Sequence, residues 1–168
     1  MTKTIELYVH TANGVDPKLV KTSEDATVKQ LIEAIVASGG VHLPDDGGEL
    51  RLFIEDYDEH LDLSRKLCEC EIRHRHHVHC HSCHKVKVSV FYNEEKSGAF
   101  APSVKVKQVL KWAIKEFKLS PTDAADKILV LKDNAQVELD LDAHIGSYAN
   151  PRSCSINLCL TAPVEVQG

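Results

Sequence analysis

Residues that could bind a metal or exchange protons are concentrated in one short segment of the 168-residue chain. Six of the ten histidines lie between His74 and His84, and four of the six cysteines lie between Cys68 and Cys83. Zinc prefers thiolate and imidazole ligands, and residues 80–83 have the Cys-x-x-Cys spacing that recurs in zinc sites. One interpretation of the segment is therefore a zinc-stapled binding module.

The spacing within this segment nevertheless favours a β-strand over a metal site. A zinc knuckle needs a tight turn, and no glycine or proline lies between Cys68 and Lys85. In an extended strand successive side chains point to opposite faces, so Cys80 and Cys83 would point apart. We therefore predict that the chain holds neither a metal nor another cofactor.

The alternation of residue types places the histidines of this strand on one face. Val78 and Cys80 would point into a core, since a free cysteine packs as a small apolar side chain. The side chains between and beside them would then point outward. We assign these as a candidate interaction face: His77, His79 and His81. Imidazoles titrate near neutral pH, so the charge of such a face would respond to modest pH changes.

Composition and charge exclude several classes of protein. Apolar residues make up 43% and charged residues 27% of the chain, which is ordinary for a globular protein. The net charge of -5 argues against binding to nucleic acid, which requires a basic surface. No stretch reaches the ~18 apolar residues of a membrane span, and residues 1–10 lack a secretory signal. We therefore expect a cytoplasmic protein, without membrane or nucleic-acid partners, whose thiols are reduced.

The chain contains an internal repeat, which predicts two copies of one small fold. The sequence Val-Lys-Gln occurs at residues 28–30 and again at residues 106–108, a shift of 78 positions. Apolar residues around both occurrences follow the i, i+3, i+4, i+7, i+8 spacing of a helix that buries one face. Thr27 and Gln30 fit a capping box at the start of the first helix. The Ser120-Pro121 pair should end the second helix.

Alternating apolar residues predict strands before and after each helix. Residues 5–9 and 86–90 have the pattern of half-buried strands, and Asn13-Gly14 after the first is a strong hairpin signal. Each copy therefore has the predicted order strand, hairpin, strand, helix, strand, short strand and closing strand. The predicted returning, short and closing strands are residues 18–21, 61–63 and 77–82 in the first copy and residues 98–101, 139–141 and 155–160 in the second.

This order of elements resembles the ubiquitin β-grasp. The helix start Thr27-Val28-Lys29-Gln30-Leu31 and the closing strand that leads to a C-terminal tail carry the likeness. Two copies joined by a very short linker resemble the bacterial two-domain ubiquitin-like proteins of the Bil antiphage operons, the BilA family. Residues 77–86, with a His-Val-His before a cysteine, and the His144-Ile145-Gly146 segment are similar to that family.

The resemblance predicts the fold class and the domain organisation of the chain. The fold is α+β, with two tandem ubiquitin-like β-grasp domains at residues 1–82 and 85–161. Residues 162–168 would form a flexible conjugation tail, since Pro163 prevents continued sheet pairing and unsupported termini are mobile. Gly168 has no side chain, so the terminal carboxylate could pass through the narrow channel of an activating site.

The implied function is that of a ubiquitin-like modifier in bacterial antiphage defence, and not that of an enzyme. Gly168 would be activated by an activating enzyme, passed to a conjugating enzyme and joined to a target protein, for which the family implies phage structural proteins. A zinc peptidase of the JAMM type would mature or remove the modifier. The predicted recognition residues of the tail are Pro163, Val164, Glu165, Val166 and Gln167. A single glycine in place of a Gly-Gly pair, and the acidic Glu165, indicate a dedicated activating enzyme.

Other interpretations remain open at this point. A noncovalent adaptor would use the histidine face and the exposed sheet of the second copy, and it would function without Gly168. A zinc-stapled module would lose stability on treatment with chelators. An enzyme is disfavoured because the sequence has no phosphate-binding loop, nucleophile elbow or His-Glu-x-x-His motif. Trp112, beside the apolar stripe of the second helix, is either an interface residue or folded over the core edge or the neighbouring domain.

Overall fold

A computed structural model describes residues 3–41, 44 and 48–163. The described residues form two sheets, one in each half of the chain. The first half contains β1 (Thr4–Thr11), β2 (Gly14–Ser23), α1 (Val28–Ala37), β3 (Arg51–Ile54), a 3₁₀ helix (Leu67–Glu69) and β4 (His77–His81). The second half contains β5 (Val86–Tyr92), β6 (Glu94–Phe100), α2 (Val106–Glu116), α3 (Pro121–Ala124), β7 (Ile128–Leu131), β8 (Asn134–Glu138), a 3₁₀ helix (Ile145–Ser147) and β9 (Ser155–Thr161).

The two sheets share one topology. The strand order is β2-β1-β4-β3 in the first sheet and β6-β5-β9-β7-β8 in the second. In each sheet the closing strand pairs in parallel with the first strand of its own half and antiparallel with the strand that follows the helix. Each half is therefore a ubiquitin-like β-grasp domain of the α+β class, which confirms the predicted fold class.

Local sequence signals explain the first hairpin and the first helix. Gly14 has a φ of +146°, a conformation that side chains rarely adopt, and it lies at the turn between β1 and β2. Thr27 is the N-cap of α1, and both hydrogen bonds of the predicted capping box with Gln30 are present, at 3.1 Å and 2.9 Å. The apolar stripe of α1 then packs on the first sheet with Leu7, Leu52 and the rest of the first core.

The second domain is built in the same way with two local differences. The turn between β5 and β6 is made by Asn93, whose φ is +62°, a conformation that asparagine tolerates better than most residues. The first turn of α2 has no side-chain cap, since Lys105 is the N-cap. Its core is a separate cluster that includes Val88, Val109 and Leu158.

Several predicted element bounds are wrong, and local hydrogen bonds explain why. In the second domain the short strand is β8, which ends before Leu139, the first residue of the predicted strand. The first sheet has no equivalent strand among the described residues. At residues 61–63, where the short strand was predicted, Asp62 Oδ1 instead accepts hydrogen bonds from the backbone and hydroxyl of Ser64 and closes a turn. Helix α2 ends at Glu116, and Ser120 is instead the N-cap of α3. The predicted domain boundaries at 82 and 85, and the tail start at 162, stay predictions.

The helices of the described residues are short. None of them combines the length and the apolar run that a bilayer crossing would require.

Candidate functional site

The closing strand β4 has the predicted alternation on its inner side. Val78 and Cys80 are fully buried in the first core, each with no exposed surface. Burial raises the pKa of the Cys80 thiol to about 12, so this cysteine stays protonated and acts as a small apolar side chain. The prediction that these two residues point inward is confirmed.

The outer side of β4 differs from the prediction. His79 is 0% exposed and His81 is 1% exposed, so neither belongs to an open surface. His77, at the start of the strand, is half-buried. The predicted outward face exists, but the second domain covers it, and its assignment as a surface for an external partner is therefore wrong for His79 and His81.

The second domain covers this face through the segments before α2 and around the 3₁₀ helix Ile145–Ser147. His81 Nε2 lies 3.1 Å from the carbonyl oxygen of Gly146. A Cβ added at Gly146 would lie 2.6 Å from Pro102 Cβ and 2.9 Å from His79 Nε2. Only glycine allows so close an approach, which gives a physical reason for a glycine in the His-Ile-Gly segment.

Phe53 of β3 anchors the same contact from the first domain. Its neighbours Leu52 and Ile54 point into the first core, whereas Phe53 points to the other side and belongs to the core cluster of the second domain. Its side chain is 0% exposed. The missed signal was the run of three apolar residues in one strand, which indicates burial on both faces of a sheet.

Glu55, directly after β3, is the charged centre of the contact between the domains. Its Oε2 accepts a hydrogen bond from His144 Nε2 at 2.8 Å, and its Oε1 lies 3.2 Å from Lys105 Nζ. Burial alone would raise the pKa of Glu55, but the hydrogen bonds and charges of these two partners outweigh it and lower the pKa to about 2. The carboxylate is therefore ionised at neutral pH, and His144 and Lys105 of the second domain hold it in place.

Two buried histidines extend this network. An ionised carboxylate can only accept a hydrogen bond, so His144 donates from Nε2 to Glu55. Nδ1 of His144 lies 3.1 Å from Nδ1 of His79, so one of these two rings donates a hydrogen bond to the other. The Nε2 of His79 has no hydrogen-bond partner among the described residues. Burial lowers the pKa of His79 well below its usual value, so its ring is neutral.

His81 is satisfied at both ring nitrogens. Its Nε2 donates to the carbonyl of Gly146, and its Nδ1 accepts from the backbone N–H of Cys83 at 2.9 Å. Burial lowers the pKa of His81 to about 4, although the bond to Gly146 opposes the shift. This ring therefore links the two domains through hydrogen bonds, and neither of its nitrogens is free to act as an acid or a base.

His10 of β1 completes the histidine cluster. It is 4% exposed and stacks on the ring of His144 with the centroids 3.8 Å apart. Its Nε2 lies 2.8 Å from Nδ1 of His77. Burial, together with the neighbouring His144 and His77, lowers the pKa of His10 to about 3. Sequence reasoning missed His10, Glu55 and His144 because the three residues lie far apart in the chain.

The cysteines do not form the zinc site that the Cys-x-x-Cys spacing allows. Cys83 and Cys154 form a disulfide across 71 positions, which contradicts the expectation of reduced thiols throughout the chain. Cys80 is in the first core, so the two cysteines of the motif cannot offer thiolates to one ion. Cys68 carries an exposed free thiol, and Cys159 is half-buried.

The tail leaves the second domain from the middle of its sheet. Strand β9 lies between β5 and β7, and Thr161 still pairs with Ile128. Ala162 and Pro163 follow outside the sheet, and both are exposed. Gly168, the predicted conjugation residue, and four predicted recognition residues lie outside the described residues: Val164, Glu165, Val166 and Gln167.

The outer face of the second sheet is open where the first is covered. Asn157 of β9 is exposed, and Cys159 is half-buried beside its register partner Phe91, which is 45% exposed. The ammonium of Lys132 lies 5.7 Å from the centre of the Phe91 ring. This face combines an apolar ring, a cation and polar groups next to the strand that leads to the tail.

Trp112, the remaining predicted interaction residue, contacts its own domain. It is half-buried, and its ring meets Phe100 edge-on with the centroids 5.3 Å apart. A Cβ at Gly98 would lie 2.8 Å from the Trp112 ring. Of the alternatives stated above, the structure thus places Trp112 over the edge of the second core.

Comparison with known proteins supports a ubiquitin-like identity for the second half. Residues 87–163 match the family model described as BilA ubiquitin-like domain 2. Among solved structures, a toluene 4-monooxygenase HD complex with the inhibitor 4-bromobenzoate is 14% identical, with a TM-score of 0.41, and the match covers 46% of this chain and 96% of that one. A pParkin-pUb-UbcH7 complex is 15% identical, with a TM-score of 0.39, over 51% of this chain and 25% of that one. No curated protein matches the chain.

Proposed function

We propose that this chain is a ubiquitin-like protein modifier, activated at Gly168 and conjugated to target proteins. The observation that carries the proposal is the course of β9, which runs through the middle of a β-grasp sheet and leads into the exposed residues Ala162 and Pro163. The match of residues 87–163 to the second ubiquitin-like domain of the BilA family supports it.

The proposed chemistry takes place at the terminal carboxylate. A carboxylate oxygen of Gly168 attacks the α-phosphorus of ATP, which forms an acyl-adenylate and releases pyrophosphate. A cysteine thiolate of the activating enzyme then displaces AMP and forms a thioester, which passes to a conjugating enzyme. An amine of the target displaces that thiol and forms an amide. The chain supplies the acyl group and the binding surface, while its partners supply the catalytic groups.

The partners follow from the same proposal. They are a dedicated activating enzyme, a conjugating enzyme and a zinc peptidase of the JAMM type, acting in antiphage defence in the bacterial cytoplasm with a phage structural protein as target. A dedicated activating enzyme fits the tail, which has one glycine and the acidic Glu165. These assignments rest on the family resemblance of the second domain.

We propose further that such partners contact the open face of the second sheet. The outer face of β4 is occupied by the second domain, so it is closed to a partner while the domains are docked. The outer face of β9 is open and carries Phe91 and Asn157 beside the start of the tail. This open face also supports the second candidate function, a noncovalent adaptor that binds through the second sheet.

A single reaction distinguishes the two functions. The full chain is incubated with ATP and with the activating and conjugating enzymes of a Bil operon, and intact masses are measured. The modifier proposal expects adducts that disappear when Gly168 is deleted and persist in the control variant Glu33→Gln, which changes an exposed side chain of α1. Equal adducts from both the full and the shortened chain, or partner binding without any adduct, would contradict it and favour the adaptor.

A further inference from the structure

Three donor atoms of the first domain converge at the edge of the contact between the domains. They are Nε2 of His10 in β1, Nδ1 of His77 in β4 and a carboxylate oxygen of Glu55 after β3, and all lie within 4.8 Å of one another. His10 Nε2 and His77 Nδ1 are 2.8 Å apart, and His77 Nδ1 is 4.0 Å from Glu55 Oε2. Two nitrogen atoms and one oxygen atom, from β1, from β4 and from the residue after β3, thus lie close together.

We propose that His10, His77 and Glu55 form a binding site for a first-row divalent metal ion, with zinc as the leading candidate. Two imidazoles and one carboxylate suit zinc and the neighbouring transition metals, whereas calcium and magnesium prefer oxygen ligands alone. The ligands differ from the cysteines that the Cys-x-x-Cys spacing suggested. The site is independent of the conjugation chemistry at Gly168.

The ligand atoms must move before they fit an ion, because their separations extend up to the limit of 4.8 Å. Ligand atoms of a tetrahedral zinc site lie about 3.3 Å apart, because each lies about 2.0–2.1 Å from the metal. The His10–His77 pair must therefore separate by roughly half an ångström, and Glu55 must approach His77 by a similar amount. His77 is half-buried and lies at the edge of the cluster, so its ring has room to move and the point is reachable from solvent.

Metal binding must displace the hydrogen between the two imidazoles, because a ligand atom has to be free of its proton. The hydrogen bond of 2.8 Å between His10 Nε2 and His77 Nδ1 needs a hydrogen on one of these two nitrogens. Nδ1 of His10 has no hydrogen-bond partner among the described residues, so the hydrogen can be carried there when Nε2 binds the ion.

The second domain supplies the groups that orient the carboxylate. His144 Nε2 donates to Oε2 of Glu55, and Lys105 pairs with Oε1. Such outer partners fix the direction of a ligating group and contribute to metal affinity. His144 also stacks on His10, so two of the three ligands are held in place across the contact between the domains. Metal binding should consequently stabilise the docked arrangement of the two domains.

The test uses the full chain, freed of metal with EDTA and then desalted. Zn²⁺ is titrated by calorimetry, and Co²⁺ is added separately because its visible spectrum reports the ligands and their geometry. We expect one ion per chain, a Co²⁺ spectrum without thiolate-to-metal absorption, and a rise in the thermal midpoint of about 5 °C or more at saturating Zn²⁺.

Two variants and two controls locate the ligands. His77→Asn and Glu55→Gln should each weaken Zn²⁺ binding by about 100-fold or more, as loss of a ligand exceeds the loss of an outer partner. His84→Asn removes an exposed imidazole outside the cluster, and Cys68→Ser removes the exposed thiol, so both should bind as the original chain does. His77 is only half-buried, and its variant should keep its circular dichroism and its thermal midpoint in EDTA.

Several results would overturn the proposal. They are the absence of stoichiometric Zn²⁺ binding by the original chain, binding that survives in a folded His77→Asn or in Glu55→Gln, or binding that is lost in Cys68→Ser. None of these results depends on whether the chain forms conjugates, so the metal site and the modifier function are tested separately.

Discussion

The closing strands of the two domains occupy the same place in their sheets, but the outer face of one is covered and that of the other is open. Strands β4 and β9 both lie in the middle of a sheet, and both turn small or aliphatic side chains toward their own core. His79 is 0% exposed on the outer face of β4. Its equivalent 78 positions later, Asn157, is exposed on β9.

This difference shows how a duplicated fold divides its surfaces. The first domain uses the outer face of its sheet to dock the second, through His79, His81 and Phe53. The second domain leaves the same face open, and its closing strand continues into the exposed residues Ala162 and Pro163. One copy therefore uses this face as the support for the other domain, and the other copy keeps the face open.

The largest expected effect comes from the disulfide, which ties the segment leaving β4 to the segment entering β9. Replacing Cys83 and Cys154 by serine should lower the free energy of unfolding by about 4 kcal/mol, the loop-closure value for their separation of 71 positions. Urea unfolding measures the change. Cys68→Ser, which removes an exposed free thiol, is the control and should change little. Six reactive thiols in the non-reduced denatured chain would contradict the pairing.

The next largest effect should come from a substitution of Phe53, which weakens the contact between the two domains directly. Phe53→Ala removes a fully buried ring that links β3 to the second core, and it should lower the free energy of unfolding by about 3 kcal/mol. Phe91→Ala removes the same side chain from the open face of the second sheet, where 45% is exposed, so its loss should be below about 1 kcal/mol. Equal losses in the two variants would show that both faces are open or both are covered.

The pH dependence of stability distinguishes the same two faces. The pKa of His81 in the folded chain is about 4, below the ordinary value of 6.5, so the folded state excludes a proton that the unfolded state binds. Its contribution is complete above about pH 6.5 and is lost as the pH falls toward 4, which amounts to about 2 kcal/mol at pH 5. Urea unfolding of the original chain and of His81→Gln, in EDTA at pH 7 and pH 5, measures this contribution as the difference between them.

A matched control places a histidine on the other strand. Asn157→His creates an imidazole on the open face of β9, where the ring stays hydrated, and it should add no comparable loss of stability on acidification. If His81→Gln loses as much stability between pH 7 and pH 5 as the original chain does, the buried His81 ring is not the cause of the acid sensitivity.

The smallest effect on stability should come from the open face, and there the effect on function is the informative one. Asn157→Arg should change the free energy of unfolding by less than about 0.5 kcal/mol, since the side chain is exposed. It should lower the yield of conjugates if partners bind beside the tail. Ala34→Arg, on the exposed side of α1, is the matched control and should leave the yield unchanged. An equal yield of conjugates from both variants would show that the partners do not bind at the outer face of β9.

The elements of the fold were predictable from sequence because they depend on neighbours in the chain. The stripe of α1, its Thr27–Gln30 capping box and the turn at Gly14 are all local patterns, and the structure contains each of them. The alternation in β4 also predicted correctly that Val78 and Cys80 point inward. Even so, the short strand was misplaced, because the Leu-Asp-Leu pattern that predicted it belongs to an aspartate turn in both domains.

The contact between the domains was not predictable in the same way, because it depends on residues far apart in the chain. The alternation of residue types shows that the histidines of β4 lie on the other face of the strand from Val78. It does not show whether solvent or another domain covers that face. Glu55, His144 and Lys105 come together only after both domains have folded and docked. The Cys83–Cys154 pair likewise joins residues that no short motif connects.

Acylation of histidines by diethyl pyrocarbonate tests most directly whether the outer face of β4 is an internal surface. The metal-free chain is treated briefly at pH 7, and each histidine is followed by peptide mass spectrometry. His60 and His74, which are exposed, should react at least about ten times faster than His79 and His81. In Asn157→His the new residue on β9 should react as fast as the exposed ones. Comparable rates at His79 and His74 would show that the first sheet is open, and would contradict the division of roles between the two closing strands.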